Sequence, residues 1–535
     1  MMIIGGVAAV LIIVGGALAF MGGSHDNDPT HLTVAAHSNI KEPEAGFSPL
    51  VGWGCGHQNY NPLVQSCLFK TDKNGSIVPD LATDYSISSD GKTWTVNVRD
   101  DVKFSDNSTF DAEDVAFTFN TAKSTESELD LTNLANVTAV NKTTVKFDLV
   151  EPRSTFIYDL RYVGIVPSDS YDNTTYGENP IGTGPYVLDH WDKGQQAIFK
   201  VNDNYYNDKP YFTQITLLFP EESTWLELAK SGDVDVVPVA TSALNQSVDG
   251  YQFVEKSAGR AQGVSLPYQN DTGEVFNGTY KIGNNVTADK AIREALNVGV
   301  NRQTMCDYIF SGHATPEYTS VDTRDYANPD GKVEDGNVEK AKQILAEGGW
   351  NDTDGDGIVE KDGVKASFEL YYPPDYLDRQ SLSTVFAEQA KEIGIEVKLV
   401  GADWDTIYNN MYCSAALMQQ TSPDPYKSIY QQYHSKEADG FYMNPNLYNN
   451  TDSDKLMDDA MHSSDLNAAN TLWSQSAFVN GGGWSPAGDA PFVWLVNYDY
   501  NYFIKNGIDI GQQPDGLGND ILINICDWTR TNSTS

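Results

Sequence analysis

Residues 79–115, PDLATDYSISSDGKTWTVNVRDDVKFSDNSTFDAEDV, decide the reading of the fold. Asp90-Gly91 separates two runs in which polar and apolar residues alternate, the pattern of a tight hairpin turn. In the second run Trp94, Val96 and Val98 share one face and Thr93, Thr95 and Asn97 the other, as in a half-buried strand. Phe110-Asp-Ala-Glu-Asp114 then opens a helix. Asp111 is its expected N-cap, and acids fill the first turn, where the helix dipole favours them.

The rest of the chain sets limits on what this unit belongs to. At 535 residues the chain is long enough for more than one core. Its formal charge of −39, from 74 acids against 35 bases, excludes a nucleic-acid binder, which needs basic patches to meet phosphate. The acids are dispersed, which is the pattern of a solvated surface suited to high salt rather than of one acidic binding face. Residues 1–23 are apolar for about 20 residues and carry no charged side chain, so they read as a signal-peptide core or a membrane anchor. No basic n-region precedes the run, and the first cysteine, Cys55, lies too far on to accept a lipid. An uncleaved anchor is therefore the preferred reading. No second run is long enough to span, which puts the remainder on one side of the membrane.

Twelve Asn-x-Ser/Thr triplets begin at Asn74, Asn107, Asn136, Asn141, Asn173, Asn245, Asn270, Asn277, Asn285, Asn351, Asn449 and Asn532. Their number fits a glycosylating outer surface such as an archaeal one, although asparagine-rich surfaces also produce such triplets by chance. Of the five cysteines, Cys55 and Cys67 are close enough to close a short loop. Cys306, Cys413 and Cys526 read as small buried apolar residues. No CxxC occurs, which argues against structural zinc.

Further along, His31–Ala36 reads as a strand, and Gly182-Thr-Gly-Pro-Tyr186 as a tight turn into another. Residues 223–239 read as a helix stopped at Gly232 and then a strand. Thr287–Asn297 is an amphipathic helix with Thr287 as the expected cap. Ala366–Tyr372, Ser381–Glu392 and Gly394–Val400 form a β-α-β unit, which implies parallel pairing with a right-handed crossover. Pro491–Asn497 is an apolar strand, expected to return to the first lobe.

PDLA (79–82), DGKTWT (90–95), RDDVKFSD (99–106), FDAEDV (110–115), GTGPY (182–186) and IREALNVGVNR (292–302) together resemble the signature of the family 5 extracellular solute-binding proteins, in an archaeal-like version. These proteins feed peptide and nickel ABC importers. The resemblance runs from about residue 32 to 530. It implies an α/β, bilobal, periplasmic-binding-protein-like fold of type II, enlarged by an extra subdomain, with two lobes joined by crossing strands. The expected division is 1–30 anchor and linker, 31–270 lobe I with a subdomain at about 70–165, 271–490 lobe II, and 491–535 returning to lobe I. The resemblance further implies a monomer with no catalytic activity and no required cofactor. Such a protein closes on a ligand and presents it to the ABC permease subunits. Oligopeptides or dipeptides are the first expectation and a nickel chelate the alternative. A membrane-tethered sensor or surface protein that kept the fold is the rival from another class.

Motifs for enzymes are absent: there is no GxSxG, HExxH or Walker A sequence. Asp352, Asp354 and Asp356, followed by Gly357, look like the start of an EF-hand loop, but Gly363 stands where the twelfth-position Glu would be. The alternatives are a structural calcium and a plain polar turn. For the ligand, the stretch 52–60, GWGCGHQNY, offers close backbone approach at its glycines and faces at Trp53, His57 and Tyr60. An ordinary loop with a core tryptophan is the other reading. Arg161 lies near where nickel-binding relatives hold an arginine that grasps a carboxylate; a surface salt bridge is the alternative. Met418–Tyr426, MQQTSPDPY, should be the second lobe's half of the site, with Gln419, Thr421, Asp424 and Tyr426 as its candidates, unless it is only a proline-rich turn. Peptide-binding relatives place an α-amine-pinning aspartate where this chain has Thr421. Nickel-binding relatives place a tryptophan and a tyrosine near Gln419 and Pro423. Neither set is reproduced here.

Overall fold

The structure, a computed structural model, describes residues 28–37, 42–43, 46–51, 63–124, 130–437, 443–514 and 521–531. The opening stretch folds as its pattern dictates. Ala82–Ile87 and Thr93–Val98 pair antiparallel across a turn in which Gly91 takes φ +70°, a conformation that favours glycine. Thr144–Leu149 and Leu134–Asn141 complete a four-stranded antiparallel sheet. Trp94, Val96 and Val98 all face inward. The helix Ala112–Ser124 lies over this face, and Trp94, Phe119, Phe147 and Phe156 meet edge to face at 5.0–5.6 Å. Asp111 Oδ1 accepts the Glu113 N–H, and Asp114 Oδ2 accepts the Asp111 N–H, a reciprocal cap at the helix start. Asp114 also accepts the Ser168 N–H and hydroxyl, which ties the helix to the segment leaving the sheet.

Two larger sheets carry the lobes. The first orders its seven strands as 251–256, 500–505, 236–238, 31–35, 214–218, 196–201 and 186–192. The second orders six as 314–316, 492–498, 261–265, 415–420, 367–372 and 396–401. Ser367–Tyr372 and Glu396–Gly401 pair parallel around the helix Leu377–Glu392, the expected crossover unit. The turn at Gly182 and Gly184 backs onto Leu63 and Val64. An added Cβ on Gly182 would lie 2.0 Å from the Val64 carbonyl oxygen, so only glycine allows the approach.

The chain passes between the two sheets twice, through residues 257–260 and through Asp499 alone. Both crossings differ from the expected positions. Phe492–Tyr498 belongs to the second sheet, between 314–316 and 261–265, and the return to the first begins only with Tyr500. Likewise Ala261–Ser265 already lies in the second sheet, ahead of residue 271. The strand 492–498 is buried at every position, so it shows no alternation that would tell one sheet from the other. The largest apolar core follows the crossings, joining Trp225, Val237 and Phe503 of one lobe to Val264, Leu296 and Val496 of the other. Thr287 is not the cap of its helix. Lys290–Gly299 is capped by Asp289, while the Thr287 hydroxyl is buried and donates to the Pro267 carbonyl.

Cys306 is buried, Cys413 and Cys526 are half-buried, and Cys67 is buried and free. Cys55 lies outside the described residues. Among the described residues no helix is long and apolar enough to cross a membrane; the apolar N-terminal run is not among them.

Candidate ligand-binding site between the lobes

The turn that follows Thr144–Leu149 carries Arg153 onto the second lobe. Its guanidinium lies 2.8 Å from Asp159 and 3.3 Å from Asp424, donates to Thr155 Oγ1, and stacks 4.3 Å over the Tyr426 ring. Arg153, Asp159 and Asp424 are all buried. Ser154 adds two bonds to the second lobe, from its N–H to the Met461 carbonyl and from its hydroxyl to the Ala460 carbonyl. The Tyr426 hydroxyl donates to Asp130. Burial pushes the Asp159 carboxyl up to about 6, with Arg153 pulling the other way, and burial likewise raises Asp424. Asp424 is thus committed to Arg153 and to the Tyr426 N–H, and Tyr426 to Arg153 and Asp130.

A second group lies where the chain crosses between lobes. Gln419 Oε1 accepts from Gln262 Nε2 at 2.7 Å, Arg379 Nη2 at 2.9 Å and Arg260 Nε at 3.3 Å. Arg260 is clamped between Tyr498 and Tyr500, one on each side of the Asp499 crossing, at 4.4 and 5.0 Å. Tyr498 donates its hydroxyl to Asp378. His37 packs on Tyr500 and Trp225. Burial, reinforced by the Arg260 charge, holds it well below the usual histidine range. Arg379 is only 8% exposed, yet its Nε and Nη1 meet no acceptor among the described residues.

Arg161 is not at the surface. It is 2% exposed, donates from Nη1 to Thr71 Oγ1 at 2.7 Å, and lies over the Tyr162 ring; no ion pair to it is found among the described residues. Lys427 of the second lobe approaches the same Tyr162 ring at 5.7 Å. Arg324 donates to the Thr421 carbonyl, and the Thr421 N–H bonds Gln420. Gln419, Thr421, Asp424 and Tyr426 therefore lie on one segment in contact with the first lobe or the crossings. Trp53, His57 and Tyr60 lie outside the described residues. Sequence reasoning missed Arg153, Arg260, Arg324 and Arg379. Their signal was rarity, since each is a basic residue in an acid-rich chain.

Asp352, Asp354 and Asp356 do converge, with oxygens within 4.8 Å of one another, all exposed. Lys365 binds both Asp354 and Asp356, and Asp352 accepts the Gly355 and Gly357 N–H groups. Three exposed carboxylates are about half a calcium shell, and the lysine already balances two of them. The donor set on its own is that of a turn.

Two lobes joined by two crossings, with side chains from both meeting between them, define a bilobal binding protein. The chain belongs to the family described as "Bacterial extracellular solute-binding proteins, family 5 Middle", whose profile matches residues 76–440. Members of this family bind solutes rather than transform them. Protein XP55 of Streptomyces lividans is 31% identical over 499 residues, covering 89% of this chain and 86% of that one. The oligopeptide-binding protein AppA of Bacillus subtilis is 28% identical over 453 residues, 80% of each chain. The solved structure of AppA in complex with a nonapeptide superposes with a TM-score of 0.69 over 94% of this chain and 99% of that one, at 25% identity. The nickel-binding periplasmic protein of Escherichia coli is 30% identical over 361 residues, 65% of this chain and 67% of that one.

Proposed function

We propose that this protein captures a small carboxylate-bearing solute between its lobes, an oligopeptide or dipeptide first, and delivers it to the permease of an ABC importer. One observation carries the reading. Arg161 and Arg379 are buried guanidinium groups that keep unmet donors and form no ion pair among the described residues, in a chain of net charge −39. A buried cation is costly until an anion meets it, and a guanidinium fork suits a carboxylate. A nickel chelate is the second reading, because its organic ligands bring carboxylates to the same arginines. Uncomplexed nickel is disfavoured, since the described residues offer only the exposed aspartate turn as a metal-ligand cluster.

Capture works by hinge closure about the crossings at 257–260 and Asp499. A ligand drives it only by contacting both lobes better in the closed form than in the open. The apolar N-terminal run holds the monomeric protein at the outer face of the membrane. The test is calorimetric titration with peptides carrying a free C-terminus and with the same peptides amidated, and with nickel–histidine in parallel. Free acids should bind near micromolar, about −8 kcal/mol, and the amides at least tenfold more weakly. Equal affinity for acid and amide would remove the carboxylate reading. Native mass spectrometry of protein from its own cells then identifies the solute carried.

A further inference from the structure

The asparagines of this chain are sorted by their sequence context. Eleven of the twelve Asn-x-Ser/Thr triplets begin at a described residue, and all eleven asparagines are exposed. Of the 24 other described asparagines only seven are exposed. The six fully buried ones, Asn202, Asn297, Asn444, Asn446, Asn497 and Asn501, are all outside such triplets. Residue type alone does not account for the split, since both groups are asparagine; the exposed group is the one followed two places on by Ser or Thr.

The hydroxyl residues show the same bias with one exception. Thr287, the third residue of the Asn285 triplet, is fully buried and bonded to the Pro267 carbonyl. The other ten hydroxyl residues are exposed or half-exposed. At Asn136 the side-chain amide donates to its own Thr138 hydroxyl at 2.8 Å, so acceptor amide and hydroxyl are presented together at the surface. Asn136 and Asn141 lie on Leu134–Asn141, the edge strand of the four-stranded sheet, where bulk on the strand blocks pairing with another chain. No triplet falls within 153–162, 260–265, 376–379 or 419–427, the segments where the lobes and the crossings meet.

We propose that the ten asparagines Asn74, Asn107, Asn136, Asn141, Asn173, Asn245, Asn270, Asn277, Asn351 and Asn449 are N-glycosylation sites. The donor class is a polyprenyl-phosphate- or diphosphate-linked oligosaccharide. The asparagine Nδ2 attacks the anomeric carbon, the bond from that carbon to the phosphate oxygen breaks, and the amide proton leaves to the released phosphate. The sugars cover the outer faces of both lobes and leave the binding surfaces bare. This inference is independent of which solute is bound.

Peptide mass spectrometry of the full chain isolated from its own cells tests it, with collisional fragmentation to reveal sugar losses. At least half of the ten sites should carry sugar. Peptides holding the exposed asparagines outside triplets, Asn179, Asn207 and Asn506, should appear at their unmodified mass. Sugar on fewer than half of the ten, or equal occupancy at Asn179, Asn207 and Asn506, would overturn the assignment.

Discussion

Single side chains between the lobes make opposing demands on stability and binding. Arg379 is buried with two donors unmet, so replacing it with an apolar residue of similar length relieves a desolvation cost. Arg379→Met should leave the thermal midpoint of the ligand-free protein unchanged or raised. The same change should weaken a carboxylate ligand at least tenfold, about 1.4 kcal/mol. Thermal melting and titration calorimetry read the two effects separately, and unchanged affinity would remove Arg379 from the site. Asp159 makes a prediction in pH. Its folded carboxyl titrates at about 6 because it is buried, against about 3.9 for an unfolded aspartate. Between those values the folded chain holds a proton that the unfolded chain has lost, so stability falls as pH rises through the window and levels above it. Scanning calorimetry from about pH 4 to about pH 6 should show that decline in the native protein and a flatter profile in Asp159→Asn; equal slopes would refute the assignment. Little of this was legible in the sequence. The segment 418–426 was recognisable, but the partner that occupies Asp424 is 271 residues away, and spacing carries no signal over that distance.

Elements were more legible, because hairpins, caps and crossovers are set by residues a few places apart. Asp90-Gly91, the 93–98 alternation and the 367–401 crossover unit all folded as their local patterns required. Two failures mark the limit of that logic. Thr287 and Asp289 both suit a helix start, and the choice fell to Asp289 because the Thr287 hydroxyl had a tertiary acceptor in Pro267. The strand 492–498 carries no face preference, so its sheet was set by neighbours that local sequence does not name. The GTGPY turn makes the sharpest element-scale test. Gly182→Ala drives a methyl into the Val64 carbonyl, and such overpacking typically costs about 1–3 kcal/mol. The variant should melt lower and be cut faster by protease in the first lobe; a native-like melting curve would show that the turn relaxes freely.

For the whole molecule, the Arg153 contact joins the segment that follows the four-stranded sheet to the second lobe. Removing one member of a buried ion pair typically costs about 3–5 kcal/mol, enough to shift an equilibrium between open and closed forms. Arg153→Ala should therefore raise the radius of gyration of the ligand-free protein in X-ray scattering, whereas an unchanged value would place this contact outside the hinge motion. The strand order has a separate consequence for biosynthesis. A chain that emerges N-terminus first has supplied six of the seven strands of the first sheet by residue 256, yet 251–256 has no neighbour until 500–505 arrives. The second lobe is synthesised in between. The early half must wait, incompletely paired, until almost the last residues appear. Loss of residues 500–535 would therefore strip 251–256, a strand made hundreds of residues earlier, of its strand partner.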